Sequence, residues 1–312
     1  MRRLALVFLF SGCARTIAPV DVSVSDEQAQ LERGRYLATS VMVCGACHAR
    51  RDWSRYAGPP KEGTEFAGSG DIARDESFSP KFSFFAPNLT PHYLGAWSNG
   101  EIARAVVFGQ GRDGRGLFPY MPYFEYRESL ARDDLSALIS YLRTLPAIGT
   151  DPPGPQRFAM PRFVLDGLPE ERPLREKAPQ PGAPEYGRYL TEISGCMGCH
   201  TQADRRGLPV GAPYAGGREF IVPAPGGGVV RSANLTPDDA AGLGRWTKER
   251  FIARFRVATV ETARQQVVEP GGFNSVMPWW AWARMNDGDL GAIYDYLRTL
   301  PPSREPSVRY SP

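Results

Sequence analysis

Cys44-Gly45-Ala46-Cys47-His48 and Cys196-Met197-Gly198-Cys199-His200 decide how this chain of 312 residues is read. C-x-x-C-H is the pattern for covalent haem attachment. Two thiols add to the vinyl groups, the spacing fits one helical turn along the porphyrin edge, and the following histidine lies beneath the ring as iron ligand. The chain holds five cysteines and three histidines, and the two motifs take four and two of them. A zinc site built from both motifs would leave two adjacent histidines unexplained, and a pair of redox C-x-x-C motifs would want a βαβ context that is absent. Cys44, Cys47, Cys196 and Cys199 are therefore the expected attachment points of two covalently bound haem c groups, with His48 and His200 as proximal iron ligands.

The motifs sit inside a longer repeat. Gly34-Arg35-Tyr36-Leu37 recurs as Gly187-Arg188-Tyr189-Leu190, and Asn88-Leu89-Thr90-Pro91 as Asn234-Leu235-Thr236-Pro237. Trp97-Ser98 answers Trp246-Thr247, Met121-Pro122 answers Met277-Pro278, and Tyr141 to Pro146 recurs without change at Tyr296 to Pro301. The order is collinear, so one unit written twice is the economical account. It divides the chain into a leader at 1–12, a tether at 13–30, units at 31–146 and 184–302, and a tail at 303–312. The 147–183 connection between the units is rich in Pro and Gly and is expected to run over the surface.

Each unit reads as helix and loop. Leu31 to Val41 and Glu185 to Ile193 lead as helices into the two motifs. Ser98 and Glu101 form an S-x-x-E capping box opening a helix that stops at Gly109; its counterpart starts at Thr247 without the matching acid. Leu135, Leu138, Ile139, Leu142 and Leu145 mark one face of a terminal helix, repeated by Leu290, Ile293, Tyr294, Leu297 and Leu300. Pro146 and Pro301 end these helices. No alternating strand pattern of useful length appears, so the expected class is all-α and loop-rich, each unit wrapped around a haem.

The sixth iron ligand decides whether a haem carries electrons or performs chemistry, and a thioether there favours Fe(II). Of seven methionines, Met121 and Met277 occupy equivalent places, each followed by a proline that fixes φ. They are the candidate ligands; gap-filling in the core is the competing account. Met285 has no counterpart and is expected to pack. His92 is the ready candidate for bis-histidine ligation, but its counterpart is Asp238. Trp97, Trp246, Trp279, Trp280 and Trp282 are expected to pack around the haems, with indole N–H groups available to propionates. Arg112 and Arg115 are further propionate candidates.

The fifth thiol, Cys13, follows Met1-Arg2-Arg3, seven apolar residues from Leu4 to Phe10, and Ser11-Gly12. This is the layout of a secretory leader, too short to span a bilayer of ~30 Å hydrocarbon. Small residues before a cysteine resemble a lipobox, which makes Cys13 a candidate lipidation site. An ordinary leader cut elsewhere before about Val20 is the alternative. The chain carries a net charge of +3 and no basic tract, which argues against nucleic acid as a partner.

Taken together, Gly-Arg-Tyr-Leu before C-x-x-C-H, the Asn-Leu-Thr-Pro loop before Trp-Ser/Thr, Met-Pro, and Tyr-Leu-Arg-Thr-Leu-Pro resemble the multi-haem cytochrome c subunits of periplasmic membrane dehydrogenases of alcohols and sugar acids. That family commonly has three haem domains; two motifs are present here. The resemblance implies two tandem cytochrome c-type domains and single-electron transfer, with a dehydrogenase as donor and a cytochrome or oxidase as acceptor. It also implies a periplasmic place, and the lipobox-like segment before Cys13 implies a lipid anchor to the membrane there. A di-haem enzyme, such as a peroxidase or a sulfur-compound oxidase, is the other class considered. It would need a displaceable distal ligand and an acid or base beside it.

Overall fold

The computed structural model describes residues 17–70, 72, 83–150, 172–204, 209–222, 227–304 and 310–311. Cys13, the rest of the leader, Met160 and most of the 147–183 connection lie outside these residues.

The first repeat opens with α1 (Gln28–Tyr36), which runs on through a wider π-type turn at Leu37–Val41 and reaches the motif as a short turn at Cys44–Ala46. Then come α2 (Pro91–Leu94), α3 (Asn99–Phe108), α4 (Tyr123–Ser129) and α5 (Arg132–Thr144). The second repeat has α6 (Tyr186–Ile193), α7 (Cys196–Cys199), α8 (Lys248–Phe255), α9 (Val260–Gln265), α10 (Trp279–Trp282) and α11 (Asp287–Leu297). The expected capping box is present. Ser98 Oγ accepts from Glu101 N at 3.2 Å, Glu101 accepts from Ser98 N at 2.7 Å, and Gly109 ends α3 with φ of 63°.

One element departs from the all-α expectation. Glu219–Ile221 (β1), Val229–Arg231 (β2) and Tyr310–Ser311 (β3) form a small antiparallel sheet in the order β1-β2-β3. Strands of two and three residues carry no measurable alternation, so the sequence could not signal them.

Within each repeat the helix before the motif crosses the terminal helix at a glycine. A Cβ on Gly34 would lie 1.9 Å from the Ala137 carbonyl oxygen of α5, and one on Gly187 would lie 2.0 Å from that of Ala292 in α11. Only a residue without a side chain allows backbones this close. The repeats then meet through exchanged bonds. Tyr36 of α1 donates to Asp289 of α11 at 2.7 Å, and its counterpart Tyr189 donates to Asp134 of α5 at 2.7 Å. Each aspartate has a second partner in its own repeat: Arg33 grips Asp134 with two bonds of 2.7 Å, and Tyr186 donates to Asp289 at 2.9 Å. Burial pushes the hydroxyl pKa of all three tyrosines up, and the carboxylates add to the shift, so all three are donors at neutral pH.

The core runs through both repeats. Leu37, Leu135, Leu138 and Ile139 join Leu190, Ile193, Leu290 and Leu297 in one cluster. Near the end of the connection, Leu174 is buried in this cluster and Arg132 N and Asp133 N donate to Arg175 O and Glu176 O at the start of α5.

Candidate functional site

Both motif histidines are fixed in the same way. His48 Nδ1 lies 2.7 Å from the Pro87 carbonyl, and His200 Nδ1 lies 2.8 Å from the Ala233 carbonyl. A carbonyl only accepts, so Nδ1 carries the proton and Nε2 keeps its lone pair in the neutral ring. Burial pulls the His48 pKa down to about 4, against the carbonyl bond, and lowers that of His200 for the same reason. Neutral rings with an outward-pointing lone pair are what an iron ligand requires.

The accepting carbonyls belong to the residues just before the Asn-Leu-Thr-Pro loops, and the loops are locked in turn. Asn88 Oδ1 accepts from Thr90 N at 2.8 Å and Thr90 Oγ1 at 2.7 Å, while its Nδ2 donates to Ile148 O at 2.7 Å. Asn234 repeats these bonds with Thr236 at 2.8 and 2.7 Å and with Ser303 O at 2.7 Å. Arg143 and Arg298, from the recurring Tyr-Leu-Arg-Thr-Leu-Pro, donate to the carbonyls of Leu94 at 2.7 Å and Leu243 at 3.1 Å. The recurring segments are thus one device: the terminal helix holds the loop, and the loop holds the histidine.

The first thiols of both motifs are held in the same protonated state. Burial, then a neighbouring thiol, pushes Cys44 up to about 12 and Cys196 up to about 12, so both stay protonated. Among the described residues no group of three or more His, Cys, Asp or Glu side chains converges as a metal site. The zinc alternative therefore lacks its ligand set, while neutral histidines beside protonated thiol pairs fit covalent haem at each motif.

The two motifs differ in enclosure. His48 is 8% exposed and Gly45 is buried, whereas Met197 is 43% exposed and Cys199 is exposed. The first motif lies under the second repeat. Trp282 Nε1 donates to Val41 O at 3.2 Å and Trp280 Nε1 to Ala57 O at 3.1 Å. Asn274, 0% exposed, donates to Trp53 O and Arg55 O at 3.2 and 3.1 Å and accepts from Ala57 N at 2.7 Å. The second motif meets α4 of the first repeat, where Ser129 Oγ donates to Glu192 at 2.9 Å. Arg218 of its own repeat donates to the Gly198 carbonyl at 2.6 Å.

Met121 and Met277 are half-buried in the loops leading into α4 and α10; Met121 packs on the main core, and Met277 on a second cluster with Val43, Ala46, Trp279 and Trp280. Met285 is buried in the core as expected. His92 is exposed in the first turn of α2. Several propionate expectations are corrected. Trp279 donates to Ser275 Oγ at 3.0 Å, and Trp280 and Trp282 to the carbonyls above, so these three indoles are committed to protein acceptors. Arg112 faces Glu101 at 3.6 Å and Arg115 faces Asp113 at 2.5 Å, both on the surface. Sequence reasoning missed Arg127. Its side chain is 7% exposed, and its Nε and Nη2 have no hydrogen-bond partner.

No protein-family model matches the chain. It is 25% identical to the fructose dehydrogenase cytochrome subunit of Gluconobacter japonicus, over 96% of this chain and 58% of that one. It is 27% identical to the gluconate 2-dehydrogenase cytochrome c subunit of Pantoea cypripedii, over 89% of this chain and 62% of that one. It is 29% identical to a diheme cytochrome c-type protein of Cereibacter sphaeroides, over 83% and 82% of the two chains. The chain spans little more than half the length of the dehydrogenase subunits. Relatives that are cytochrome c subunits of fructose, alcohol and gluconate dehydrogenases are thus found along most of its length.

Proposed function

We propose that the chain is a di-haem c-type cytochrome passing single electrons, with a dehydrogenase as donor and a cytochrome or oxidase as acceptor. The observation that carries this reading is the duplicated arrangement of C-x-x-C-H, a histidine held through Nδ1 by a loop carbonyl, and an asparagine fastening that loop to the end of the terminal helix. Haem iron, when bound, supplies the one-electron Fe(II)/Fe(III) couple. Cys44, Cys47, Cys196 and Cys199 would hold the two porphyrins, and His48 and His200 would present Nε2 to the irons. Met121 and Met277 would supply the remaining iron ligands, each from a loop stiffened by the following proline. Histidines fixed by loop carbonyls would hold the irons with little movement, which would lower the reorganisation that accompanies each transfer.

The names of the relatives support a dehydrogenase as the electron source. No helix among the described residues is long and apolar enough to cross a membrane. In this reading the leader exports the chain to the periplasm, and a lipidated Cys13 anchors it; Cys13→Ala would release it into the soluble fraction.

The test is a haem count with ligand variants. Purified protein should contain two thioether-linked haems per chain, and Met121→Ala and Met277→Ala should each open one iron to carbon monoxide and lower one midpoint. It should also show negligible turnover of peroxide or thiosulfate. Turnover at about 1–10³ per second would overturn the carrier reading in favour of a di-haem enzyme.

A further inference from the structure

Tyr123, Tyr126, Arg127 and Leu130 fall on one face of α4 and the residue after it, at spacings i, i+3, i+4 and i+7. Tyr123, Tyr126 and Leu130 are buried, which turns Arg127 inward. Its Nη1 meets Glu128 Oε1 at 2.9 Å, while Nε and Nη2 have no partner. Those two nitrogens form one edge of the guanidinium fork. The same edge of Arg33 grips both oxygens of Asp134, each at 2.7 Å, so the chain itself shows what such an edge binds.

A guanidinium cannot shed its proton to escape burial, and a buried donor without a partner is destabilising. Glu128 does not cancel the charge alone, because it is 55% exposed and also faces Arg172 at 3.6 Å. Arg104 is a useful contrast. Its Nε also lacks a partner, but its Nη1 and Nη2 donate to Ile17 O and Gly111 O, each at 2.8 Å, which makes it a clasp for the chain's own backbone. Arg127 offers a whole bidentate edge, the geometry that selects a carboxylate.

The position of α4 says whose carboxylate. The helix starts directly after Met121-Pro122 of the first repeat, and its buried Tyr126 packs in the core cluster that Met121 and Cys44 also touch. On this buried face the first motif is the neighbour. The outward side of α4, with Glu125 and Ser129, faces the second motif and α6 instead.

We propose that the Nε–Nη2 edge of Arg127 binds one propionate carboxylate of the haem attached to Cys44 and Cys47. This rests on the haem-attachment reading of that motif. A positive charge fixed at the propionate favours the reduced iron, so Arg127 both anchors the first haem and raises its potential.

The experiment compares Arg127→Gln, Arg127→Lys and Glu128→Gln by redox titration and resonance Raman spectroscopy of the full chain. A Cys196→Ala/Cys199→Ala form, which retains the first haem alone, assigns the two midpoints. In Arg127→Gln the first midpoint should fall while the second stays in place, with two haems per chain retained. Arg127→Lys should restore most of that midpoint yet still shift the propionate bending band of the first haem, since an ammonium cannot bind side-on. Glu128→Gln should leave the band unmoved. Unchanged midpoints and bands in both Arg127 variants would overturn the proposal, as would a shift confined to the second haem. If Arg127→Gln does not fold, an unmoved Raman band in Arg127→Lys is enough to reject it. Absence of a thioether adduct at Cys44 and Cys47 by mass spectrometry would instead reject the underlying attachment reading.

Discussion

The first motif is roofed by the other half of the chain, and the second is not. The difference traces to two short segments that follow equivalent Met-Pro pairs. After Met277 the sequence is Pro278-Trp279-Trp280-Ala281-Trp282, whose indoles reach across to Val41 and Ala57 of the first repeat. After Met121 it is Pro122-Tyr123-Phe124-Glu125-Tyr126, which brings the Glu125 carboxylate to the second motif. Identical C-x-x-C-H motifs therefore meet unequal surroundings, and burial is one of the levers that would set the potential of a haem at each. The scaffold beneath is conserved between the repeats; the covering is what has changed.

The largest effect should come from the part the repeats share. Gly34→Ala and Gly187→Ala each drive a methyl group into a carbonyl oxygen about 2 Å away, and overpacking of that kind costs about 3 kcal/mol. Urea unfolding should show matching losses for the two variants. A marked inequality would mean that the two helix crossings are not equivalent supports.

Next comes a residue that only the second repeat has. Asn274→Ala strands the Ala57 and Ser275 amides and the Trp53 and Arg55 carbonyls, at about 2–3 kcal/mol for a buried polar network. Because Asn274 lies three residues before Met277, which packs with Val43 and Ala46 beside the first motif, the methionine signature in the visible spectrum should weaken at the iron that Met277 serves while that served by Met121 persists. Equal loss at both haems would show that the roof supports the molecule generally and not one ligand loop.

The smallest effect sharpens the symmetry. Tyr36→Phe and Tyr189→Phe each remove one bond to a buried aspartate that keeps a second partner. Each should cost about 1.5–2 kcal/mol, as for hydrogen bonds to charged groups, and the double variant should depart from the sum because Tyr186 on Asp289 also interacts with Arg33 on Asp134, which joins the two sites in one network. Thermal unfolding of the three proteins measures this directly.

Much of this comparison was legible before any coordinates. The Ser98–Glu101 box and the two terminal helices rest on local patterns, and they appear where those patterns put them. Gly-Arg-Tyr-Leu was visible as a recurrence but not as a mechanism. Its glycine answers to a helix far along the chain, and its tyrosine to an aspartate in the other repeat. The π-type turn at Leu37–Val41, closed by Met42 N donating to Leu37 O at 2.8 Å, has the same residue types as an ordinary helix and left no trace. Arg127 had a faint signal, a charge on a face otherwise aromatic and aliphatic. Its significance depends on which nitrogens find partners, which a sequence does not record. The amphipathic faces located the core side of each helix without naming the opposing helix, so the shared core was not foreseen.

The exchanged tyrosines have a consequence for how such a chain can change over generations. Tyr36 with Asp289 and Tyr189 with Asp134 are bonded as two copies of one protein would be across a two-fold axis. In a homodimer every substitution strikes both sides of that axis at once, so a tryptophan roof over one motif would be a roof over both. Joining the copies in a single gene removes that constraint: each side mutates alone while the partner keeps the joint closed. A covalent link can thus turn a symmetric pair into a directional one, with an enclosed end and an open end, without altering the contacts that hold them together.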